Sequence, residues 1–375
     1  MYEWIKNVWF LSIKEFKSVT SDITLMGLVV AVFTVAVYSV STGLTTEVKN
    51  ASVAIIDQDQ SALSYQIRDA ILPPYFKPAV LIQAHERDAK LDKGEFVFII
   101  DIPPNFAQDV LAEKKPQVYI WADATAATLA GVGSAYIEQI VQREVQTYLR
   151  ESSNLDWMPV EPIVSIMYNP NGTNVWFIGV MQVVSNVTLL TMILVGAAII
   201  REREHGTMEH LLVMPVRASE IAIAKILTNS ALIMVAALLS LGGVVHLLLG
   251  VPIIGSVSLF TLGLAIYLFT VSSLGVWLAT LAPTMPQFGL LCIPIYIVTR
   301  LLSGGETPME SMSQIVQDIT FFSPVTQFVM YAQSVLFRNA DLAIVWPQLA
   351  ILSVAGVLFL AMALSRFHQM LAKQG

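Results

Sequence analysis

Four long stretches of this chain contain no Asp, Glu, Lys or Arg, and they restrict the folds open to it more than any other feature. They cover residues 23–46, 162–200, 226–299 and 342–365, which are 24, 39, 74 and 24 residues long. A helix that crosses a bilayer needs about 20 mostly apolar residues, and a charged side chain at its centre is costly. Buried helices of a large soluble core are the alternative, but such cores rarely run this long without a charge. The chain is therefore expected to cross a membrane repeatedly.

Prolines divide the longest of these stretches into three parts, while each of the others has room for one membrane helix. Pro252, Pro283 and Pro286 interrupt the helical pattern, because proline lacks the N–H that a helix interior needs. The sequence thus predicts six transmembrane helices, over residues 23–41, 175–200, 226–250, 257–281, 287–302 and 342–364. A cleaved signal peptide is the alternative for the first helix, because small residues near position 41 resemble a cleavage site.

The first 22 residues have the pattern of an amphipathic helix. Apolar side chains recur at helical spacing, and three lysines lie elsewhere around the helix. Trp4 and Trp9 are of the residue type that anchors at a membrane surface. We expect residues 1–22 to lie in the membrane interface, with a soluble helix packed on a partner as the alternative.

Residues 44–174 form the polar stretch of domain size, with 10 Lys+Arg against 17 Asp+Glu. Apolar runs alternate with helical patterns there. They predict strands near 52–56, 79–82, 96–102 and 117–122, helices near 61–71, 105–113 and 125–150, and an extended segment at 159–168. We therefore expect an α/β extracytoplasmic domain inserted between transmembrane helices 1 and 2. Asp57, Asp59, Asp101 and Asp123 fall at strand ends, where they are read as turn and cap residues or, alternatively, as metal ligands.

Charge counts predict the topology and exclude some classes of protein. The short flanking segments 1–22, 201–225 and 366–375 hold 9 Lys+Arg and 7 Asp+Glu, so the positive-inside rule places both termini in the cytoplasm. A formal net charge of −7 excludes the basic footprint of a nucleic-acid-binding protein. The single cysteine, Cys292, excludes an intrachain disulfide and a thiolate zinc site.

A dense charge cluster follows the second predicted membrane helix. Residues 201–204 read Arg-Glu-Arg-Glu and lead into a glycine and then an apolar turn that ends at Pro215. This pattern predicts a short helix on the cytoplasmic surface, whose charges and leucines suit a protein partner. His205, Glu209 and His210 are one residue off the spacing of a zinc-protease helix, so we do not expect a metal site.

The same segment resembles the motif E-x-E-x-G-T-x-E-x-L-L-x-x-P of ABC-2 type transporter permeases, and in particular of bacterial inner-membrane exporters. The order of parts is similar over essentially the whole chain: an interfacial helix, one span, a large outer domain and five further spans. The resemblance implies that segment 201–216 docks on a separate ATPase. The coupling residues that it implies are Glu202, Glu204, Gly206, Thr207, Glu209, Leu211, Leu212 and Pro215.

The resemblance also implies further partners. Six helices are half of an ABC exporter's usual complement, so a second permease copy or a related permease is expected beside this one in the lipid bilayer. The outer domain becomes a candidate dock for a periplasmic adaptor protein. The function implied is export of a substrate out across the inner membrane.

The chain has no phosphate-binding loop of its own, because such a loop requires a Gly-Lys pair and the sequence contains none. ATP is therefore expected to act through the partner ATPase, and we expect this chain to be a transport subunit that binds no cofactor and catalyses no reaction. An ion-coupled secondary transporter is one alternative, which the absence of charged relays inside the spans disfavours. The other is a membrane-anchored sensor whose outer domain binds a ligand.

Polar residues inside the second predicted span supply a further hypothesis. Gln182, Ser185 and Asn186 share one helical face. Polar side chains in a span face other helices or a cavity, so these three are expected to line either the translocation pathway or a helix interface.

The segment between the last two predicted spans is broken by glycines and prolines. Residues 303–338 are therefore predicted to form outer surface or re-entrant helices near 315–322 and 328–336. Arg300 and Glu306 are expected to pair at the membrane rim. His246, near the end of the third span, is expected to make a structural polar contact.

Overall fold

The computed structural model describes residues 2–43, 50–123, 127–153, 174–204, 217–307, 309 and 312–372. Its contacts divide the chain into two compact units. The helical unit consists of Met1–Leu44 and Val175–Gly375, and the mixed unit consists of Thr45–Asn174. Each unit has a hydrophobic core of its own.

The helical unit begins with two consecutive helices. The first is α1 (Tyr2–Ser21), which forms over the segment predicted to be amphipathic. The second is α2 (Ile23–Gly43). Asp22 separates them, and its Oδ1 accepts a hydrogen bond of 3.1 Å from the backbone N–H of Leu25. This contact satisfies one of the free N–H groups at the start of α2.

The described residues of the mixed unit form a four-stranded sheet. Its strands are β1 (Val53–Asp57), β2 (Val80–Leu81), β3 (Phe98–Ile102) and β4 (Tyr119–Ala122), in the spatial order β2-β1-β3-β4. β1 pairs in parallel with β2 and β3, and β4 pairs antiparallel with β3. The first four residues of β1 and all but one of β3 are buried, which agrees with the unbroken apolar runs of these strands.

Helices connect these strands and, in the case of the last helix, follow β4, at positions set by local signals. They are α3 (Ala62–Ala70), α4 (Arg87–Asp92), α5 (Phe106–Leu111) and α6 (Ala127–Ser153). Ser61 caps α3 by accepting from the Ser64 N–H, as its sequence position predicts. The sequence pattern does not predict the turns at 84–92, because they are rich in charge and lack apolar periodicity. There Glu86 accepts a hydrogen bond from the Gln83 N–H, which lowers the pKa of the Glu86 carboxyl.

Of the four aspartates predicted to lie at strand ends, Asp57 and Asp59 act as turn and cap residues, whereas Asp101 lies within β3 and accepts a hydrogen bond from the Gln58 side chain. Asp57 accepts hydrogen bonds from the Asp59 and Gln60 N–H groups and from the Ser64 hydroxyl. Asp59 accepts from the Ala107 N–H, at the first turn of α5. Within the residues that the structure describes, no group of three or more His, Cys, Asp or Glu side chains is placed to hold a metal ion.

The rest of the helical unit is a bundle of long apolar helices. They are α7 (Asn174–Glu204), α8 (Ala218–Leu248), α9 (Val257–Leu281), α10 (Met285–Leu301), α11 (Gln314–Phe321), α12 (Pro324–Leu336) and α13 (Leu342–Ala372). In the described part of the chain, five helices are long and apolar enough to cross a membrane, namely α2, α7, α8, α9 and α13, and α10 is a shorter apolar helix. The chain is therefore a polytopic helical membrane protein.

The predicted membrane helices differ from the observed ones mainly at their ends. The prediction for α9 agrees at both ends, but the predicted start of α8 at residue 226 is wrong, because this helix begins at Ala218. The prediction stopped at the last charged residue, Lys225. The structure continues the helix through Lys225 and Glu220, since both side chains are buried against polar partners.

α7 lies at the centre of the bundle. Its most apolar window is 78% buried, against 17% for α2 and 22% for α13. Close packing on α7 depends on glycine: a Cβ atom on Gly196 would lie 2.1 Å from Cζ of Phe288 on α10. Such a distance is impossible for real atoms, so the absence of a side chain at 196 is what lets α10 approach.

Candidate coupling site

The last four residues of α7 contact residues at or near the ends of four other helices. These are residues 201–204, the charge cluster that the sequence singles out. We call these four residues and their contacts, including the ion cluster around Lys225, the helix-end junction. Because the side chains of the four-residue run meet three different chain segments, the run joins parts of the unit that are far apart in sequence.

Two of these contacts are with α2 and α8. Nη1 of Arg201 lies 3.9 Å from Oδ2 of Asp22, the residue that caps α2. Oε1 of Glu202 lies 2.9 Å from Nζ of Lys225, in the second turn of α8.

The other two contacts hold the turn between α9 and α10. Arg203 donates a hydrogen bond to the carbonyl oxygen of Ala282, the residue that ends α9. Oε1 of Glu204 accepts a hydrogen bond of 3.0 Å from the backbone N–H of Met285, the first residue of α10. Each charge matches the helix end it meets, because free carbonyls at a C-terminus attract a cation and free N–H groups at an N-terminus attract an anion.

A buried ion cluster ties α1 into the same junction. Nζ of Lys225 lies 2.9 Å from Oε1 of Glu15 on α1 and 2.9 Å from Oε1 of Glu202. The Lys225 side chain is 2% exposed, and those of Glu15 and Glu202 are 14% and 18% exposed. A charge this deeply buried persists only when it is paired, so α1, α7 and α8 are held together by a shared lysine.

Further polar contacts run along the line between α1 and α8. Nδ2 of Asn7 donates to Oε2 of Glu220 at 3.3 Å, and Nε1 of Trp4 donates to the hydroxyl of Ser219 at 3.4 Å. Glu220 also accepts from the Arg217 N–H at 2.8 Å, which closes the first turn of α8. α1 is therefore packed against α8 over several turns.

The sequence pattern predicted some residues of the helix-end junction and missed others. Of the predicted coupling residues, Glu202 and Glu204 are in the junction, while the other six lie outside the residues that the structure describes: Gly206, Thr207, Glu209, Leu211, Leu212 and Pro215. Glu15, Asp22 and Lys225 were missed. A signal for two of them was present, because Asp22 and Lys225 are each the last charged residue before a charge-free stretch and so belong at the same membrane boundary.

The polar residues in the middle of α7 pack within the chain. Nε2 of Gln182 donates to Oδ1 of Asn186 at 3.0 Å, and Nδ2 of Asn186 donates to the carbonyl oxygen of Val32 at 2.8 Å. Val32 begins a π-helical turn of α2, and such a turn disturbs the regular hydrogen-bond ladder. These contacts place Gln182 and Asn186 at the α2–α7 interface, while Ser185 is partly exposed and lines a small cavity beside Arg300 and Glu306.

Two other predicted polar contacts are present. Arg300 forms an ion pair with Glu306 and also donates to the Tyr296 hydroxyl at 3.3 Å. Nδ1 of His246 lies 2.9 Å from the carbonyl oxygen of Val251, which is a local structural contact as predicted.

Comparison with known proteins identifies the family. A family described as ABC-2 family transporter protein matches residues 22–365. The chain belongs to this ABC-2 transporter family. The resemblance inferred from the 202–215 motif is thereby confirmed, and family membership implies an ABC ATPase partner.

Three relatives of this ABC-2 protein from Escherichia coli (strain K12) cover almost the whole chain. The inner membrane transport permease YhhJ is 44% identical over 372 residues, which are 97% of this chain and 98% of the relative. The probable multidrug ABC transporter permeases YbhR and YbhS are 25% identical over 350 residues and 23% identical over 366 residues. The match to YbhR spans 92% of this chain and 93% of YbhR, and the match to YbhS spans 95% of each.

Proposed function

We propose that this chain is the membrane-spanning permease subunit of an ABC exporter that moves a substrate out across the inner membrane when a separate ATPase subunit drives it. The helix-end junction carries the proposal. It lies directly before segment 205–216, so a force applied to that segment reaches the end of α7 first. The absence of a phosphate-binding loop from the sequence supports a separate energy source.

The junction explains how one displacement could reorganise the bundle. Glu202 connects α7 with α8 and, through Lys225, with α1, and Glu204 connects it with α10. When the ATPase closes on ATP and pushes the coupling segment, α7 moves with its four contacts. The helix ends then shift together, and the bundle rocks between two arrangements rather than deforming gradually.

We also propose the topology that the charges of the short flanking segments predict. α10 is the sixth transmembrane helix beside the five longer ones. Both termini and segment 201–216 lie in the cytoplasm. Residues 44–174 lie on the extracytoplasmic side of the membrane. Residues 303–338 form the outer re-entrant segment. A second permease copy or a related permease completes the pathway, and the outer domain docks a periplasmic adaptor.

The cargo class is proposed to be apolar or amphipathic. The charge-free spans support it, as do the names of the two relatives called probable multidrug permeases.

Co-purification and flux assays test the function. The tagged chain should retain an ABC ATPase, and inside-out vesicles that contain both should accumulate an amphipathic dye only with ATP and in a vanadate-sensitive way. Flux driven by an ion gradient alone would indicate a secondary transporter. A monomeric chain without an ATPase and without flux, but with ligand-dependent signalling through residues 44–174, would indicate a sensor.

A further inference from the structure

The mixed unit contains a cleft of about 920 Å³ between α5, α6 and the chain that leads into β4. None of its lining residues belongs to the helix-end junction or to another site described above. Small-molecule sites in proteins have volumes of roughly 300–1,000 Å³. The cleft therefore has room for one molecule of drug size.

The apolar stripe of α6 explains why the cleft exists. Four apolar residues recur every four positions and so share one side of the helix: Ile137, Val141, Val145 and Leu149. Ile137 is fully buried in the core, whereas the other three are only partly buried and line the cleft. The core thus covers the stripe at residue 137 and leaves its next three turns incompletely covered.

α6 approaches the sheet closely at the covered end of this stripe. A Cβ atom on Gly133 would lie 2.3 Å from Cζ of Phe98 in β3, so the absence of a side chain at 133 permits the contact. Beyond it, the lining opposite the stripe includes Phe106 and Val110 of α5 and Ile120 of β4. Phe106 and Val110 are themselves part of the core, so the cleft is mainly apolar and is preformed by packed elements.

The charged residues that line the cleft balance in sign. They are two carboxylates, Glu113 and Glu138, and two cations, Lys115 and Arg150, and all four residues are exposed. Exposed charges stay hydrated, and a set without a net sign gives no overall attraction to an ion. An ionic group that entered the apolar part of the cleft would lose its hydration without a net compensating charge. The lining therefore favours a molecule with no net charge.

Two glutamines give the cleft hydrogen-bonding capacity. Nε2 of Gln142 donates to Oε1 of Glu138 at 3.0 Å, so this amide is partly engaged. The Gln146 side chain makes no hydrogen bond with any residue that the structure describes, and its amide carries both donors and an acceptor. Because Gln146 also lines the cleft, it is placed to pair with an amide, carbonyl or hydroxyl group of a ligand.

The dimensions of the cleft favour a small molecule over a protein partner. From Val141 to Leu149 the stripe spans about 12 Å, at about 1.5 Å per residue. A stable protein interface buries about 800 Å² of each partner. A strip of this length that is about 10 Å wide, the diameter of a helix, is several times smaller.

We propose that this cleft binds one molecule of drug size that is mainly apolar, has no net charge and carries an amide, carbonyl or hydroxyl group. Its apolar body lies against Val141, Val145 and Phe106, and its polar group pairs with the Gln146 amide. Every lining residue belongs to the mixed unit. Binding is therefore measured without transport, and the proposal does not depend on the proposed export.

Photolabelling of the full-length protein in detergent tests the site. The probes are three benzophenones that differ at one ring position: 4-benzoylbenzamide, 4-benzoylbenzoate and 4-(aminomethyl)benzophenone, which are neutral, anionic and cationic at neutral pH. We expect the neutral amide to label peptides within 106–120 and 138–150 saturably, at about tenfold lower concentration than either ion. Equal labelling by the three probes, a preference for an ion, or labelling of other peptides alone would overturn the proposal.

Two variants, each with a matched control, locate the binding. Val145→Trp fills the cleft without changing a charge and should abolish saturable labelling, whereas Val132→Trp, at an exposed position of α6 outside the lining, should not. Gln146→Leu keeps the apolar shape and should weaken 4-benzoylbenzamide about fivefold while leaving unsubstituted benzophenone unchanged. Gln139→Leu, exposed and outside the lining, should leave both probes unchanged. Equal affinities of the two leucine variants for the amide would overturn the pairing with Gln146.

The oligomeric state distinguishes a ligand site from an interface between copies of this chain. The proposal expects Val145→Trp to leave the mass of the solubilised protein unchanged in analytical ultracentrifugation. A smaller assembly would show that a second copy covers the cleft, and would overturn the assignment to a small molecule.

Discussion

Glu202 and Lys225 form an ion pair of 2.9 Å that joins the last turn of α7 to the second turn of α8. In sequence these residues stand on either side of residues 205–216. Glu202 itself belongs to segment 201–216, which we propose docks on the ATPase. The pair therefore links the end of α7 to the early part of α8. Under the proposed function, a displacement of segment 201–216 is expected to move α7 and α8 together, because this pair joins them.

Removal of the shared lysine should be the most damaging single change in the junction. Lys225→Met removes the buried ammonium that lies 2.9 Å from the carboxylates of both Glu15 and Glu202, and we expect it to destabilise the protein by about 3 kcal/mol. Thermal unfolding in detergent measures the loss. Lys17→Met on exposed α1 surface is the matched control.

A double variant separates pairing from simple packing. If the ion pair is responsible, Lys225→Met combined with Glu202→Gln should be more stable than Lys225→Met alone, because fewer uncompensated charges stay buried. Strictly additive losses would contradict the pairing argument.

Glu204 should act through its contact with the start of α10. Glu204→Ala leaves the Met285 N–H without its acceptor and should cost about 1 kcal/mol, the usual effect of losing a helix cap. ATP-driven flux in vesicles should fall further than stability does, by about tenfold if the contact transmits motion. Glu204→Gln keeps an acceptor oxygen and should retain most of both. A Gln variant as defective as Ala would show that charge, not the cap, is what matters.

The middle of α7 should be closed to water. In a background where the buried Cys292 is replaced by alanine, cysteines at 182 and 186 should not react with a water-soluble maleimide, with or without ATP. A cysteine at the exposed Lys77 is the positive control. Labelling at 186 that depends on ATP would revive the pathway hypothesis for this face.

Gly196 should tolerate no side chain. Gly196→Ala puts a methyl group into the ring of Phe288 and should destabilise the α7–α10 contact by about 1–3 kcal/mol. Gly27→Ala on α2 meets no atom within 4 Å and serves as the control. If both variants unfold at the same temperature, close packing at 196 is not required.

Substitutions in the motif beyond Glu204 should impair transport without impairing insertion of the protein into the membrane. Gly206→Pro and Glu209→Ala should uncouple ATP hydrolysis from transport while membrane insertion stays normal. The measurement compares ATPase activity and flux in the same vesicles. Normal flux in both variants would contradict the assignment of this segment to coupling.

Local sequence signals were sufficient for much of the fold. The charge-free stretches located the long apolar helices because the cost of burying a charge in hydrocarbon applies to each residue wherever its helix packs. The unbroken apolar run at 96–102 indicated β3, and Ser61 indicated the start of α3. The short helical segment at 84–92 was not predicted, because capping hydrogen bonds rather than apolar periodicity stabilise it.

The sequence by itself determined where the chain can lie in a membrane and, through residues 202–215, to which family it belongs. The tertiary structure alone decided which charges at the membrane boundary meet. Glu15 and Lys225 are 210 residues apart, and nothing in either local segment specifies the other. A buried charge requires a partner, but the identity of that partner depends on which helix ends the packing of the bundle brings together.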